Sequence, residues 1–191
     1  MKIIINESQL RLIIENEEGE RLINFTGVYK SIHPSQWDDM FHHMDRKKGG
    51  GYSGYYINGD IDSRQGADLP LELYKDYMDD DYFDRDIDED VEFGLNYLVK
   101  VDGYMDMRKT KINGLDKLKH VGRYLSLNDT EINSLPNLEH IGGGLGLMNT
   151  NINDLPKLKY VKGTLFVEGT PLANDIDKLR KIYDKLGKKM R

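Results

Sequence analysis

The sequence predicts an α/β fold: a right-handed solenoid of short coils with a parallel β-sheet, an N-terminal α+β capping region and a C-terminal capping helix. Three observations favour this fold. Aliphatic residues recur every 20 residues between 95 and 172 without an insertion, as Leu95, Leu115, Leu135 and Leu155 show. Each repeat contains an alternating pair such as Leu125-x-Leu127, which is typical of a strand with one buried face. An amphipathic helical pattern follows the last repeat.

The repeat has the form L-x-x-L-x-x-V/I-x-x-x-L-x-L-x-x-T-x-I, and its four copies begin at Leu95, Leu115, Leu135 and Leu155. A single coil cannot bury its own apolar edge, but stacked coils bury one another's. Adjacent strands must then run parallel, about 4.8 Å apart. We therefore expect Leu125, Leu145 and Leu165 to stack as a ladder inside the core.

Two segments of the repeat resemble known solenoid families. Leu145-Gly-Leu147-x-x-Thr150-x-Ile152 resembles the leucine-rich-repeat signature, with Thr where most such repeats have Asn. The I-G-G-x-L-x-L portion is similar to the repeats of receptor L domains. The resemblance covers residues 95–172, about two-fifths of the chain. Because Thr offers one hydroxyl where Asn offers an amide, we expect an inward Thr ladder bonded to the turn backbone, in a short, straight solenoid rather than a curved horseshoe.

A cluster of glycines, Gly142, Gly143, Gly144 and Gly146, lies in the third repeat. A phosphate-binding loop needs a helix start just after it, whereas a strand follows here. We expect Gly143, like Gly103 and Gly163, to occupy a turn that needs a positive φ. Gly144 and Gly146 should face outward and leave a bare patch, where the backbone of a partner could approach.

Residues 173–191 are predicted to form the C-terminal capping helix. Asn174 is expected to be its N-cap, with Asp175 and Asp177 in the first turn. A solvated helix end that complements the helix dipole is a more economical explanation of the basic residues there than a nucleic-acid site. The apolar residues at helical spacing are Ile176, Leu179, Ile182, Tyr183 and Leu186, and the basic ones are Lys185, Lys188, Lys189 and Arg191.

Residues 1–48 are predicted to form the N-terminal cap. We expect a strand at Lys2–Ile5, then a helix from Glu7 or Ser8 to about Glu17 that buries Leu10, Leu12, Ile13 and Ile14. A second helix should begin near Pro34. Its apolar residues are Trp37, Met40, Phe41 and Met44. The opening MKIIINESQLRLI resembles the starts of uncharacterised tailed-phage proteins, which implies a phage source.

Residues 49–94 combine a glycine-rich break, a degenerate coil and an acidic insertion. Tyr55 holds the place of the last glycine of a G-x-S-x-G pattern, so a nucleophile elbow is disfavoured. A pattern of the first regular repeat, Val101-x-Gly103-x-Met105, has a counterpart in Ile57-x-Gly59-x-Ile61. This similarity predicts an additional, degenerate coil. The insertion at 76–92 lacks the EF-hand spacing, so a solvated loop is favoured over a Ca²⁺ site. The candidate Ca²⁺ ligands are Asp84, Asp86, Asp88 and Asp90.

Composition narrows the functional classes. The chain has no cysteine, which excludes disulfides and thiolate metal sites. Residues 1–94 carry 22 acidic and 10 basic residues, and residues 95–191 carry 11 and 17, an asymmetry that fits either a nucleic-acid-binding face on the basic half or attraction between the two halves. The net charge of −6 and the lack of a basic stripe interleaved with aromatic residues argue against nucleic-acid binding as the function. With neither a signal peptide nor a membrane-length apolar segment, we expect a cytoplasmic protein, in the host cell or packaged in a virion.

The predicted function is a non-enzymatic protein–protein interaction module without a cofactor. Outward strand positions place aromatic, Met and Arg side chains among neutral ones, as in protein-recognition surfaces. The predicted contact residues are Tyr104, Asp106, Arg108, Tyr124, Ser126, Asn128, Met148, Phe166 and Glu168. Two alternatives are a structural or packaged component of a phage particle, and an enzyme whose chemistry lies in residues 1–94. The candidate catalytic groups for the latter are His33, His42, His43, Asp38 and Asp39, of which the adjacent His42 and His43 are expected to be surface residues rather than metal ligands.

Overall fold

A computed structural model of the chain describes residues 13–15, 21–26, 38, 41–42, 45–46, 50–62 and 92–189. These residues form a parallel β-solenoid with a helical C-terminal end. The strands are β1 Ile13–Glu15, β2 Arg21–Thr26, β3 Gly54–Asn58, β4 Ile61–Asp62, β5 Phe93–Gly94, β6 Leu98–Val101, β7 Met105–Asp106, β8 Ile112–Gly114, β9 His120–Val121, β10 Leu125–Ser126, β11 His140–Ile141, β12 Leu145–Gly146, β13 Tyr160–Val161 and β14 Leu165–Phe166. The helices are α1 Pro171–Asn174 and α2 Ile176–Lys185.

The strands belong to three sheets. A seven-stranded sheet has the order β1-β2-β3-β6-β9-β11-β13, a five-stranded sheet has the order β14-β12-β10-β7-β4, and β5 pairs with β8. Each of the four regular coils therefore contributes a strand to the first sheet and another to the second. The sequence predicted one sheet, at the L-x-L segment. The preceding segment also forms a strand, because His120 and His140 occupy the same position of consecutive coils and pair along their backbones.

The predicted leucine ladder is confirmed. Leu125 pairs with Leu145, and Leu145 with Leu165, in parallel register. All three are at most 5% exposed. The segment for which a degenerate coil was predicted continues both sheets, since Ile57 pairs with Val101 and Ile61 with Met105. Equal coil lengths thus place aliphatic side chains over one another, and burial of this apolar column drives the stacking.

The Thr ladder has the predicted geometry. Thr130 Oγ1 donates to Leu127 O at 2.7 Å, and Thr150 Oγ1 to Leu147 O at 2.8 Å. Thr110 and Thr170 repeat this bond to the carbonyl three residues earlier. Each hydroxyl therefore closes the turn of its own coil.

A left-handed residue precedes each of these threonines. The column consists of Lys109, Asp129, Asn149 and Gly169, with φ values between 56° and 75°. Asp, Asn and Gly tolerate this conformation better than other residues. Asn149 Nδ2 also donates to Asp129 Oδ1 at 2.7 Å, so neighbouring turns are joined.

The glycines of the preceding turn have a different role from the predicted one. Gly143 is not in the left-handed region, and neither are Gly103 and Gly163. Instead, a Cβ atom on Gly143 would lie 2.9 Å from both Arg123 C and Tyr124 N. Close approach of one coil's backbone to the next is what requires glycine there, so the predicted positive φ is wrong.

In the described part of the N-terminal region, β2 pairs in parallel with β3. Residues 13–15 form β1, antiparallel to β2, so the predicted helix is wrong at these positions. Two adjacent β-branched isoleucines favour the strand. Asp38, Phe41, His42, Asp45 and Arg46 are helical, and Phe41 is buried. The predicted strand at 2–5 and the acidic residues Asp84, Asp86, Asp88 and Asp90 lie outside the described residues.

The C-terminal helix is confirmed, but its cap is not Asn174. Asp175 Oδ1 accepts a hydrogen bond from Lys178 N at 3.0 Å and caps α2. Asn174 is the last residue of α1, whose N-cap is Thr170. Leu179 and Ile182 are buried against the last coil, whereas Ile176 is 50% exposed because it begins the helix on the outer side.

The basic residues of α2 and the segment after it cover the end of the stack. Lys188 Nζ donates to Gly163 O at 2.8 Å, and Lys185 Nζ donates to Pro156 O at 3.1 Å. Lys185 is exposed in the last turn of α2, as expected for a residue that complements the helix dipole, and both lysines in addition bind carbonyls of the last coil.

Candidate functional site

The outer face of the five-stranded sheet contains a groove of about 320 Å³. It brings together six of the nine predicted contact residues and the two outward glycines. The groove is lined by Asp106, Arg108, Tyr124, Leu125, Ser126, Asn128, Gly144, Gly146 and Phe166. Strands β7, β10, β12 and β14 position these groups, because the residues that flank each buried aliphatic side chain point outward.

The three remaining predicted residues lie beside the groove rather than in its lining. Tyr104 is half-buried and stacks on Tyr124, with ring centroids 4.8 Å apart and planes inclined by 7°. Met148 is half-buried and Glu168 is exposed. The tyrosine stack follows from the fold, because the repeat period places side chains of neighbouring coils at the spacing of parallel strands.

An ion pair closes one end of the groove. Arg108 donates to Asp106 through Nε at 2.9 Å and through Nη2 at 2.8 Å. Asp106 is only 1% exposed, so it does not itself face a partner. Its role in the groove is to orient the Arg108 guanidinium. The pair is internally neutral, and this end of the groove therefore presents hydrogen-bonding groups rather than net charge.

The bare glycine patch is smaller than the sequence predicted. Asn128 Oδ1 accepts a hydrogen bond from Met148 N at 2.9 Å, and this amide lies over Gly146. A Cβ atom on Gly146 would lie 2.8 Å from that oxygen. Gly144 has more room, because a Cβ atom there would lie 3.4 Å from Thr164 O and 4.0 Å from Thr164 N. We call the gap over Gly144, between Tyr124 on the coil before and Thr164 on the coil after, the notch.

A column on the seven-stranded sheet was missed by sequence reasoning. His120 and His140 stack with centroids 4.5 Å apart, and Tyr160 continues the stack at 4.5 Å. Lys100 pairs with His120 in the strand register. We name Lys100, His120, His140 and Tyr160 the histidine column. Two histidines that share one repeat position in consecutive coils are the signal that could have revealed it.

The surroundings of His120 keep its imidazole neutral. Burial, with smaller contributions from electrostatic repulsion by His140 and Lys100, lowers the pKa of His120 to about 4. The two imidazole planes are inclined by only 5°, so the nitrogen lone pairs, which lie in the ring planes, do not converge on one ion between the rings. Among the described residues, no group of three or more His, Asp or Glu side chains could hold a metal.

A second groove, of about 300 Å³, lies beside this column and contains lysines. Lys117 Nζ donates to Ser53 O at 2.7 Å and lies 4.5 Å from the centre of the Tyr97 ring. Lys157 Nζ donates to Asn137 Oδ1 at 2.6 Å. These cations therefore take part in contacts that join coils, which favours a structural role for this groove.

The candidate catalytic groups of the N-terminal region have structural contacts. Asp38 accepts from Asn96 N at 2.7 Å and from the Tyr55 hydroxyl at 3.1 Å, which ties the helical segment to the first coil. Burial raises the pKa of Asp38. The His42 ring packs edge-on against Tyr97 at 4.6 Å. The other three, His33, His43 and Asp39, lie outside the described residues.

Comparison of the chain with models of known families, with curated proteins and with solved structures gives no match. Within the described part of the chain, no helix has the length and apolar character needed to cross a membrane.

Proposed function

We propose that the protein is a non-enzymatic recognition module that binds a partner protein through the outer face of the five-stranded sheet. The observation that supports it is the groove beside Tyr124 and Phe166, whose side chains are 38% and 49% exposed. Exposed aromatic side chains around a concave, largely neutral surface are typical of protein-binding hot spots. The core does not need these two rings, because the buried face of the sheet is aliphatic.

Three finer points belong to the same proposal. The coils are of the leucine-rich-repeat-like class and wind right-handed. The regular repeat period and the buried turn threonines support this assignment. The chain is phage-encoded, for which the support is the opening sequence alone. It acts in the cytoplasm of the host cell. A packaged component of a phage particle is the alternative, and mass spectrometry of purified particles would identify it.

The proposal is tested by removing the aromatic side chains of this face. The triple variant Tyr104→Ala, Tyr124→Ala, Phe166→Ala should lose the partner that the wild type captures from lysate, with partners identified by mass spectrometry. Tyr160→Ala is the matched control, because Tyr160 is an aromatic residue of similar exposure, 44%, on the other sheet.

The thermal unfolding midpoint separates loss of binding from loss of fold. Tyr124 and Phe166 are exposed and Tyr104 is half-buried, so the triple variant should stay folded, with a smaller loss of stability than truncation of core side chains would cause. The proposal predicts a protein captured by the wild type and the Tyr160→Ala variant and absent with the triple variant. Equal capture by all three would contradict it.

A further inference from the structure

The tyrosine stack on the recognition face stops in the middle of the sheet. Corresponding positions in the four coils are Tyr104, Tyr124, Gly144 and Thr164. The register of β10 and β12, in which Leu125 pairs with Leu145, puts Gly144 beside Tyr124. A third side chain is therefore missing from a regular column, and the notch is the space that it would fill.

The spacing of the coils gives the notch the thickness of an aromatic ring. Tyr104 and Tyr124 repeat at 4.8 Å along the solenoid axis. A ring that occupied the notch would take the next step and lie about 4.8 Å from Tyr124, inside the range of stacked aromatic pairs. The groove extends over this position and is bounded by Ser126, Asn128 and Phe166. Shape thus favours a planar group that enters edge first.

The chemistry of the lining defines the occupant further. Ser126 and Asn128 are polar but uncharged, and the Arg108 guanidinium is held by Asp106. A charged group would have to lose water here without gaining an opposite charge. A phenol or indole ring matches the lining better, because it is planar, neutral and has one polar atom at its edge.

We infer that the notch over Gly144 is a binding slot for an uncharged aromatic ring, which a Tyr or Trp side chain of the partner supplies to complete the column. The inference rests on the proposed function for the source of the ring, but the slot itself can be tested without a partner. The probes are p-cresol and 3-methylindole, which are the side chains of Tyr and Trp, and cyclohexanol is the non-planar control.

The probes are titrated into ¹⁵N-labelled protein, and amide shifts are followed by NMR. The two aromatic probes should shift Gly144, Gly146 and Leu125 with saturation. Cyclohexanol should bind at least about fivefold more weakly, as expected from the preference of aromatic rings for stacking. Shifts spread over the surface, or equal binding of cyclohexanol, would overturn the inference.

Two substitutions address the slot directly. Gly144→Tyr should abolish binding of p-cresol, because its own ring occupies the notch. The substitution is compatible with the backbone, since Gly144 does not have a positive φ and a Cβ atom there makes an ordinary contact with Thr164. Gly144→Ala is the matched control and should keep p-cresol binding within about threefold, because it adds a single methyl group.

A further variant keeps the test decisive if Gly144→Tyr does not fold. Tyr124→Leu preserves apolar volume but removes the ring on which the probe would stack, so p-cresol should bind about fivefold more weakly. Unchanged p-cresol affinity in Tyr124→Leu would contradict the slot.

The slot and the proposed function fail in different ways. If the probes do not bind at Gly144 but the triple alanine variant loses its partner, the slot is wrong and the recognition face stands. If p-cresol saturates the notch in the wild type and all variants capture the same proteins, the slot stands and protein recognition is wrong.

Discussion

At the scale of single residues, the histidine column shows how the fold controls ionisation. The constant coil length places His120 against His140 and beside Lys100. The resulting desolvation and repulsion lower the pKa of His120 to about 4 from its ordinary value of 6.5. Protonation of His120 therefore opposes folding.

This pKa shift predicts acid sensitivity. Above pH 6.5 the imidazole is neutral in both the folded and the unfolded chain, so its contribution to stability does not change. Between pH 6.5 and about 4, the unfolded chain takes up a proton that folded His120 does not. The free energy of unfolding should therefore decrease as the pH is lowered through this window. Urea unfolding at pH 7 and pH 5 measures the decrease.

Removal of the Lys100 ammonium group should weaken the dependence of stability on pH. Lys100→Met raises the pKa of His120 towards 6.5, so the variant should lose less stability than the wild type between pH 7 and pH 5. NMR titration of His120 reports the pKa itself. Lys181→Met, which removes an exposed lysine of α2, is the control and should titrate like the wild type. An unshifted His120 in Lys100→Met would contradict this explanation.

The residues that sequence reasoning placed correctly are those whose role follows from periodicity. Leu145 and Thr150 recur in every coil, so their inward positions follow from the repeat alone. His120 and His140 are neither apolar nor part of the L-x-L alternation, so the patterns that predict the fold do not include them. The need for glycine at 143 was predicted correctly but explained wrongly. A close backbone approach and a positive φ both require glycine, and only the coordinates distinguish the two causes.

At the scale of elements, the junction after the last coil shows competition between two caps. Asn174 and Asp175 both belong to residue types that cap helices well. Thr170 is the N-cap of α1, and α1 ends at Asn174. Asp175 is therefore the residue in position to cap α2. A one-turn helix is too short to produce a recognisable period, so the sequence did not separate the two caps.

Alanine substitution distinguishes these residues. Asp175→Ala should lower the free energy of unfolding by about 1 kcal/mol, because the Lys178 amide loses its hydrogen-bond acceptor. Asn174→Ala is the control and should change it by less than about 0.5 kcal/mol. Urea unfolding of the two variants measures the difference. A larger loss for Asn174→Ala would contradict the observed cap.

Short strands limited prediction in the same way. His120–Val121 and Tyr160–Val161 have two residues each, which is too short for an alternating pattern to reveal. Their pairing comes from equal coil lengths rather than from local preference. In Ile13–Glu15, by contrast, local preference favoured a strand, and the helical pattern of surrounding leucines obscured it.

At the scale of the whole molecule, coil length is the quantity that specifies the fold. The columns of Leu145, Thr150 and Asn149 all depend on coils of identical length. The broad architecture was therefore predictable from the sequence, whereas the groove was not, since its shape depends on how Asn128 and Arg108 fold over the sheet.

Duplication of a coil should extend the molecule. A second copy of residues 135–154, inserted after Asp154, should fold and lengthen the stack by about 4.8 Å, because each new strand finds partners in register. Circular dichroism and small-angle X-ray scattering measure folding and length. The matched control is the same insertion with one residue deleted from the copied coil. It should fold poorly, since a shift of a single position turns buried side chains outward.

The contact between Lys188 and Gly163 has a consequence for assembly. Gly143 O accepts a hydrogen bond from Gly163 N at 2.7 Å, so Gly163 O is the acceptor that a fifth regular coil would use. Lys188 occupies it instead, while Leu179 and Ile182 seal the aliphatic column. The tail thus ends a structure that has no intrinsic terminus, and a chain deprived of it would offer the next molecule a ready template for fibril growth.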